Sequence, residues 1–218
     1  MLAARLLAFP VRTAEMDPRM AQEDDLLPGE EQAIARAVPS RRREFSAGRA
    51  CARQAMRALG ARALSIPQGE DRAPVWPDGL VGSITHTHAW CAAAVARTDD
   101  GIRAIGIDVE PAEPLDSALL RMICVEEERR ALAARPTAQR GLLGRLVFSA
   151  KESSYKCQYQ LSRTLIGFHA MHIVLDESAQ RFSAVFRKEV APFAEGDALQ
   201  GRYVIDRGFL MTAVTLAS

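Results

Sequence analysis

The chain has 218 residues, 48% of them hydrophobic, enough to bury one sizeable core or two small lobes. Lysine plus arginine total 28 against 27 acidic residues, a formal net charge of +1, so no global field marks a nucleic-acid binder. The uncharged run Val81 to Ala96 is shorter than a bilayer span, and the apolar Met1–Val11 stretch is broken by Arg5 and Pro10; a cytoplasmic protein without membrane contact is expected.

In chain order, residues 10–30 hold three prolines and several acids and read as a loosely ordered approach. A helix is expected from about Pro28–Glu31 to just before Pro39, followed by a longer one, Arg41 to Leu59, capped by Ser40 and closed by Gly60. In the longer helix Phe45, Ala52, Met56 and Leu59 form an apolar stripe flanked by Arg42, Arg49 and Arg53. Those arginines suit an anion; they equally suit a solvated rim whose stems cover the core. Gly, Pro and Asp dominate between Pro67 and Gly82, a loop. Strands are expected at Leu80–Thr85 and Trp90–Ala96, and after the Asp99-Asp100-Gly101 turn at Ile102–Glu110. Helical patterns at 116–134 and 138–160 follow, then strands Met171–Asp176, Arg181–Arg187, Arg202–Asp206 and Phe209–Leu216. Helices followed by runs of strands indicate an α+β class. Cys51, Cys91, Cys124 and Cys157 lie far apart among apolar neighbours and read as buried thiols.

Two segments carry chemistry. In Gly106-Ile107-Asp108-Val109-Glu110, residues two apart in a strand share a face, so Asp108 and Glu110 can reach one ion. In Phe148-Ser149-Ala150-Lys151-Glu152-Ser153-Ser154-Tyr155-Lys156, residues four apart on a helix project together, so Glu152 and Lys156 form a second pair. Three carboxylates and a lysine describe a site for magnesium, a hard cation that prefers oxygen ligands, with a phosphate beside it. Taken singly, each pair is also an ordinary strand end or a surface ion pair. Lys151, beside Glu152, points elsewhere on an ideal helix.

In this order, the Arg-rich helix, Arg72-Ala73-Pro74-Val75-Trp76-Pro77, Gly82-Ser83-Ile84-Thr85-His86, Gly106 to Glu110 and Phe148 to Lys156 resemble the 4′-phosphopantetheinyl transferases. The resemblance is to the surfactin-synthetase-activating type and, within it, to the enterobactin-synthase component D branch; it spans Arg41 to Phe168. It implies two similar α+β lobes related by a pseudo-twofold within one chain, here 1–103 and 104–218, with coenzyme A in the cleft between them. It implies transfer of the phosphopantetheine arm of coenzyme A to a serine of an apo carrier protein, with release of adenosine 3′,5′-bisphosphate. Asp108, Glu110 and Glu152 would hold magnesium, or manganese in its place. Lys156 would stabilise the diphosphate and Lys151 would support it. Glu127, in the run Val125-Glu126-Glu127-Glu128, would take the serine proton directly or through water, with metal-bound water as the alternative base. His86 would bind a phosphate, the Thr85 region would contact the nucleotide, Arg41 and Arg49 would bind the 3′-phosphate, and Arg72, Ala73 and Pro74 would lie beside the adenine.

A monomer acting on carrier proteins is therefore expected. Residues 111–135, with Leu119, Leu120 and Ile123 beside Arg121 and Arg129, form either a carrier-docking stripe or a core-packing one. Two other readings use the same residues: a metal-dependent hydrolase of coenzyme A or a related diphosphate, and a non-catalytic coenzyme A-binding module.

Overall fold

The structure is a computed structural model that describes residues 1–22 and 26–218. It contains a three-stranded antiparallel sheet, order β1-β3-β2, built from β1 (Arg12–Met16), β2 (Leu80–His86) and β3 (Cys91–Arg97). A five-stranded antiparallel sheet, order β4-β8-β7-β6-β5, is built from β4 (Ile102–Pro111), β5 (Met171–Asp176), β6 (Arg181–Phe186), β7 (Ala198–Asp206) and β8 (Phe209–Ala217). The helices are α1 (Ala3–Leu6), α2 (Pro39–Ala58), α3 (Ser117–Ile123), α4 (Glu126–Ala133) and α5 (Thr137–Ser162). The class is α+β, as expected: one long helix, α2 or α5, lies on each sheet. Among the described residues no helix is long and apolar enough to cross a membrane.

Strand alternation builds three layers of core. On β3, Cys91, Ala93 and Val95 pack under Ala47, Cys51, Ala52 and Met56 of α2. Its other face, Ala92, Ala94 and Ala96, meets Ile105, Ile107 and Val109 of β4 and Met211 and Ala213 of β8. Beyond the second sheet, Leu146, Val147, Ala150 and Cys157 of α5 pack against Ile173, Phe182, Ala184, Phe186 and Leu210. The odd residues of β4 thus fill the seam between the sheets, which leaves its even residues, Gly106, Asp108 and Glu110, to α5. All four cysteines are buried and free.

The structure corrects several boundaries. Part of the expected loose approach is β1, paired along its length with β3; residues 23–25 of that stretch lie outside the described residues. The helix expected near 28–38 is a single 3-10 turn, Glu31–Ile34, because the Glu30 carboxylate turns inward to Arg53 at 2.8 Å and to the Ile66 N–H at 2.7 Å. Helix α2 begins at Pro39 with Val38 as its N-cap and no side-chain cap, so Ser40 does not cap it; proline's fixed φ and missing N–H suit the first helical position. The helix expected over 116–134 is two helices, broken at Cys124–Val125, where the extended backbone N–H of Val125 donates to Glu128 at 2.8 Å.

Candidate active site

Gly106 sets the distance between β4 and α5. A Cβ placed there would lie 1.8 Å from the Ser153 carbonyl oxygen, so only glycine allows the strand to touch the helix backbone. Thr212, opposite Asp108 on β8, donates to the Ser149 carbonyl at 2.9 Å and lies 2.9 Å from the Ser153 hydroxyl, locking the same contact.

Pinned in this way, α5 presents Glu152 and Lys156 to the even face of β4. Lys156 Nζ donates to Asp108 Oδ1 at 2.7 Å and to the Ile107 carbonyl at 3.1 Å. Thr85 bridges β2 and β4: its Oγ1 donates to Asp108 Oδ1 at 3.3 Å and accepts from the Val109 N–H at 3.1 Å. Ser83 accepts from the Ile107 N–H in the same manner at 3.1 Å. Asp108 is buried, and its Oδ2 has no hydrogen-bond partner among the described residues. Glu110 accepts from Arg145 at 2.9 Å. Burial, then the Asp108 charge, pushes the Glu110 carboxyl above the usual carboxylate range. Glu152 is pushed up by burial and by Asp108, against the pull of Lys156.

These residues fit a hard divalent cation. A buried carboxylate oxygen without a donor, in the shared field of two more carboxylates, is stabilised by a cation and little else. Among the described residues no three such side chains stand assembled at ligand distance, since Lys156 and Arg145 pair with Asp108 and Glu110.

A cationic group flanks this face. Arg41 Nη1 lies 2.5 Å from His86 Nε2, and His86 Nδ1 lies 3.4 Å from Glu44. Burial, then Arg41, Lys156 and Arg49, pushes the imidazole down to about 4, so it is neutral at pH 7, and a neutral ring accepts from Arg41 at Nε2 and donates at Nδ1 toward Glu44. Arg49 is buried, donates to the Ile66 carbonyl at 2.6 Å and stacks over Phe45 at 4.1 Å. Burial pushes it down to about 10, still a cation at neutral pH.

Beside these residues opens a cleft of about 830 Å³ between the 69–76 loop and α5. Arg72, Ala73 and Pro74 line one wall; Tyr155, Lys156, Tyr159 and Arg163 line the other. Trp76 packs the loop onto the core over Gly82.

Two expected residues are placed elsewhere. The three protons of Lys151 are donated to Glu128 at 2.8 Å and to the Ile123 and Phe168 carbonyls at 2.9 Å each, which leaves none for a phosphate. Glu127 is exposed and pairs with Arg187 at 3.2 Å, on a groove shared with Leu143, His172 and Val174. Its neighbour Glu128 takes the inward position because its carboxylate also accepts from the Ile173 N–H at 2.6 Å. Of the 111–135 stripe, Ile123 is buried and Leu120 packs on the core, so those two are core residues; Leu119 and Met122 are exposed. Arg145, Glu44, Ser83 and the Tyr159–Asp71 contact belong to the site although no motif assigns them a role; a Glu152, Tyr155, Tyr159 stripe at helical spacing is the one signal for Tyr159.

Comparison with known proteins identifies a family. Residues 29–96 match the 4′-phosphopantetheinyl transferase N-terminal domain, and residues 104–206 match the 4′-phosphopantetheinyl transferase superfamily. The chain is 38% identical over 200 residues to the 4′-phosphopantetheinyl transferase Npt of Nocardia iowensis, covering 87% of this chain and 89% of that one. It is 35% identical to PptT of Mycobacterium tuberculosis, covering 87% and 86%. Against enterobactin synthase component D of Salmonella typhimurium the identity is 33%, covering 73% and 66%. With its site geometry and these relatives matched over most of their length, the chain belongs to the 4′-phosphopantetheinyl transferase superfamily.

Proposed function

We propose that this protein transfers the 4′-phosphopantetheine arm of coenzyme A to a serine hydroxyl of an apo carrier protein, in a magnesium-dependent reaction that releases adenosine 3′,5′-bisphosphate. The observation that carries this reading is the orphaned Asp108 Oδ2, facing a carboxylate–lysine helix at the edge of the cleft. Asp108, Glu110 and Glu152 would hold the metal, and Lys156 would move onto a phosphate oxygen. When bound, magnesium supplies charge neutralisation at the diphosphate. Arg41, Arg49 and neutral His86 supply a cationic wall for a further phosphate, while Thr85 fixes Asp108. Arg72, Ala73 and Pro74 form the nucleotide wall.

The serine oxygen forms a bond to the phosphorus that bears pantetheine, and the bond to the bridging oxygen breaks. With Glu127 paired to Arg187, we read Glu152, through the carboxylate oxygen not held by the metal, as the acceptor of the serine proton; it forms no hydrogen bond or ion pair among the described residues. We read 1–103 and 104–218 as the two lobes of one catalytic unit, so that a cytoplasmic monomer suffices, and the exposed Leu119 and Met122 of α3 as the carrier-facing patch.

Incubation with coenzyme A, magnesium and an apo carrier protein, read by intact mass, tests this. A carrier gaining one phosphopantetheine supports it. Coenzyme A cleaved with the carrier unmodified would establish a hydrolase, and binding without either change a coenzyme A-binding module.

A further inference from the structure

The 69–76 loop belongs to the N-terminal half and Tyr159 to α5, yet Tyr159 Oη donates to Asp71 Oδ2 at 2.7 Å across 88 residues of sequence. The other oxygen of Asp71 accepts from the Ala73 N–H at 3.0 Å, so one carboxylate both shapes the turn and ties it to the opposite wall. Within that turn Gly69 and Ala73 are joined at 2.9 Å, the Gln68 side chain donates to the Arg72 carbonyl at 2.8 Å, and Arg72 is held at φ 68°. A non-glycine residue at positive φ is disfavoured and persists only where its surroundings over-determine it. On the helix side, Tyr159 is 9% exposed, with its ring against Tyr155 at 5.7 Å and the Arg163 guanidinium 5.9 Å from its centroid. The hydroxyl is therefore presented from a fixed ring to an otherwise exposed loop.

We propose that the Asp71–Tyr159 hydrogen bond is a positioning contact that holds the Arg72–Pro74 segment at a set distance from Lys156 and thereby sets affinity for the nucleotide end of the donor. This rests on the reading of the cleft as the coenzyme A site. A donor that spans both walls binds best when their spacing is fixed beforehand, since ordering the loop then costs nothing at binding. A hydroxyl bonded to a carboxylate is among the stronger side-chain contacts, and its loss leaves the aromatic packing in place.

The test is a cycle of Tyr159→Phe, Asp71→Ala and the double variant, with coenzyme A binding measured by calorimetry and transfer by steady-state kinetics. Tyr159→Phe should raise Kd and KM for coenzyme A about tenfold with kcat within about twofold. The double variant should be no worse than Asp71→Ala. Binding of pantetheine 4′-diphosphate, which lacks the nucleoside, should not change in Tyr159→Phe. Unchanged coenzyme A affinity in Tyr159→Phe, additive losses, or an equal loss with the truncated donor would overturn the proposal. If the wild-type protein binds coenzyme A but transfers nothing, the reaction assignment falls while the calorimetric cycle still decides the role of this contact.

Discussion

Asp108 divides its two carboxylate oxygens between two tasks: Oδ1 accepts from Lys156 at 2.7 Å, and the buried Oδ2 accepts from no donor among the described residues. The first anchors the strand to the helix; the second is available to a cation. Lys156→Met should therefore lower kcat/KM for transfer by roughly 100-fold or more, the cost of losing a preorganised charge at a transferring phosphoryl group. Magnesium should raise the wild-type Tm by mass action and leave that of Asp108→Asn unmoved. A thermal shift retained in Asp108→Asn would remove Asp108 from the ligand set.

Gly106→Ala should destabilise the fold before it affects chemistry. The added methyl would meet the Ser153 carbonyl at 1.8 Å and the Cys157 backbone nitrogen at 2.8 Å, and backbone cannot swing aside as a side chain can. Overpacking of this kind costs about 1–3 kcal/mol or more, and here relief requires α5 to lift from β4, which carries Glu152 and Lys156 away from Asp108. Urea unfolding should show the loss, and activity should fall with it. A variant of wild-type stability would mean that the strand–helix spacing is not set at this residue.

The even face of β4 and the i, i+4 pair on α5 were legible in the sequence because both follow from periodicity within one element. Glu127 against Glu128 was not: the resemblance implies Glu127, and only the donors Val125 N–H, Ile173 N–H and Lys151, brought together by the fold, decide that Glu128 turns inward. The phosphate role of Lys151 is implied by the resemblance alone, and helix geometry already argues against it, since one residue along a helix rotates a side chain about 100°. β1 escaped notice because its five residues owe their extended form to β3, far along the chain, and because Glu15, which looks like a solvated acid, accepts the Leu2 N–H at 3.0 Å. The Asp71–Tyr159 contact joins residues 88 apart: helical spacing puts Tyr159 on the Glu152 side of α5, but nothing local names Asp71 as its partner.

The buried Lys151–Glu128 pair is expected to be a stability element. Lys151→Met would leave the Glu128 carboxylate inside without its cation, a loss of about 3–5 kcal/mol. Adding Glu128→Gln should recover part of it, because no unpaired charge then remains. Denaturant titration of the single and double variants measures both steps. Lys151→Met with full stability and lost turnover would return Lys151 to the phosphate site.

Stability should depend on His86 in the acidic range. Facing the ring are Arg41, Glu44 and Arg49 of α2 and Lys156 of α5, and burial followed by the three cations holds its folded pKa near 4 against an ordinary 6.5. Between those values the unfolded chain binds a proton at this residue that the folded chain does not, so stability rises with pH across the window and levels off above it. Partial exposure of the ring limits the contribution to on the order of 1–2 kcal/mol. The raised carboxyls of Glu110 and Glu152 act in the opposite sense, taking up protons in the folded state as pH falls. Comparison with His86→Gln isolates the imidazole: urea unfolding at pH 5 and pH 7 should show a smaller difference in the variant than in the wild type, and the His86 ring resonance should titrate near pH 4. A midpoint at or above the ordinary value would mean that burial and the flanking cations do not disfavour the charged ring and that Arg41 is not its partner.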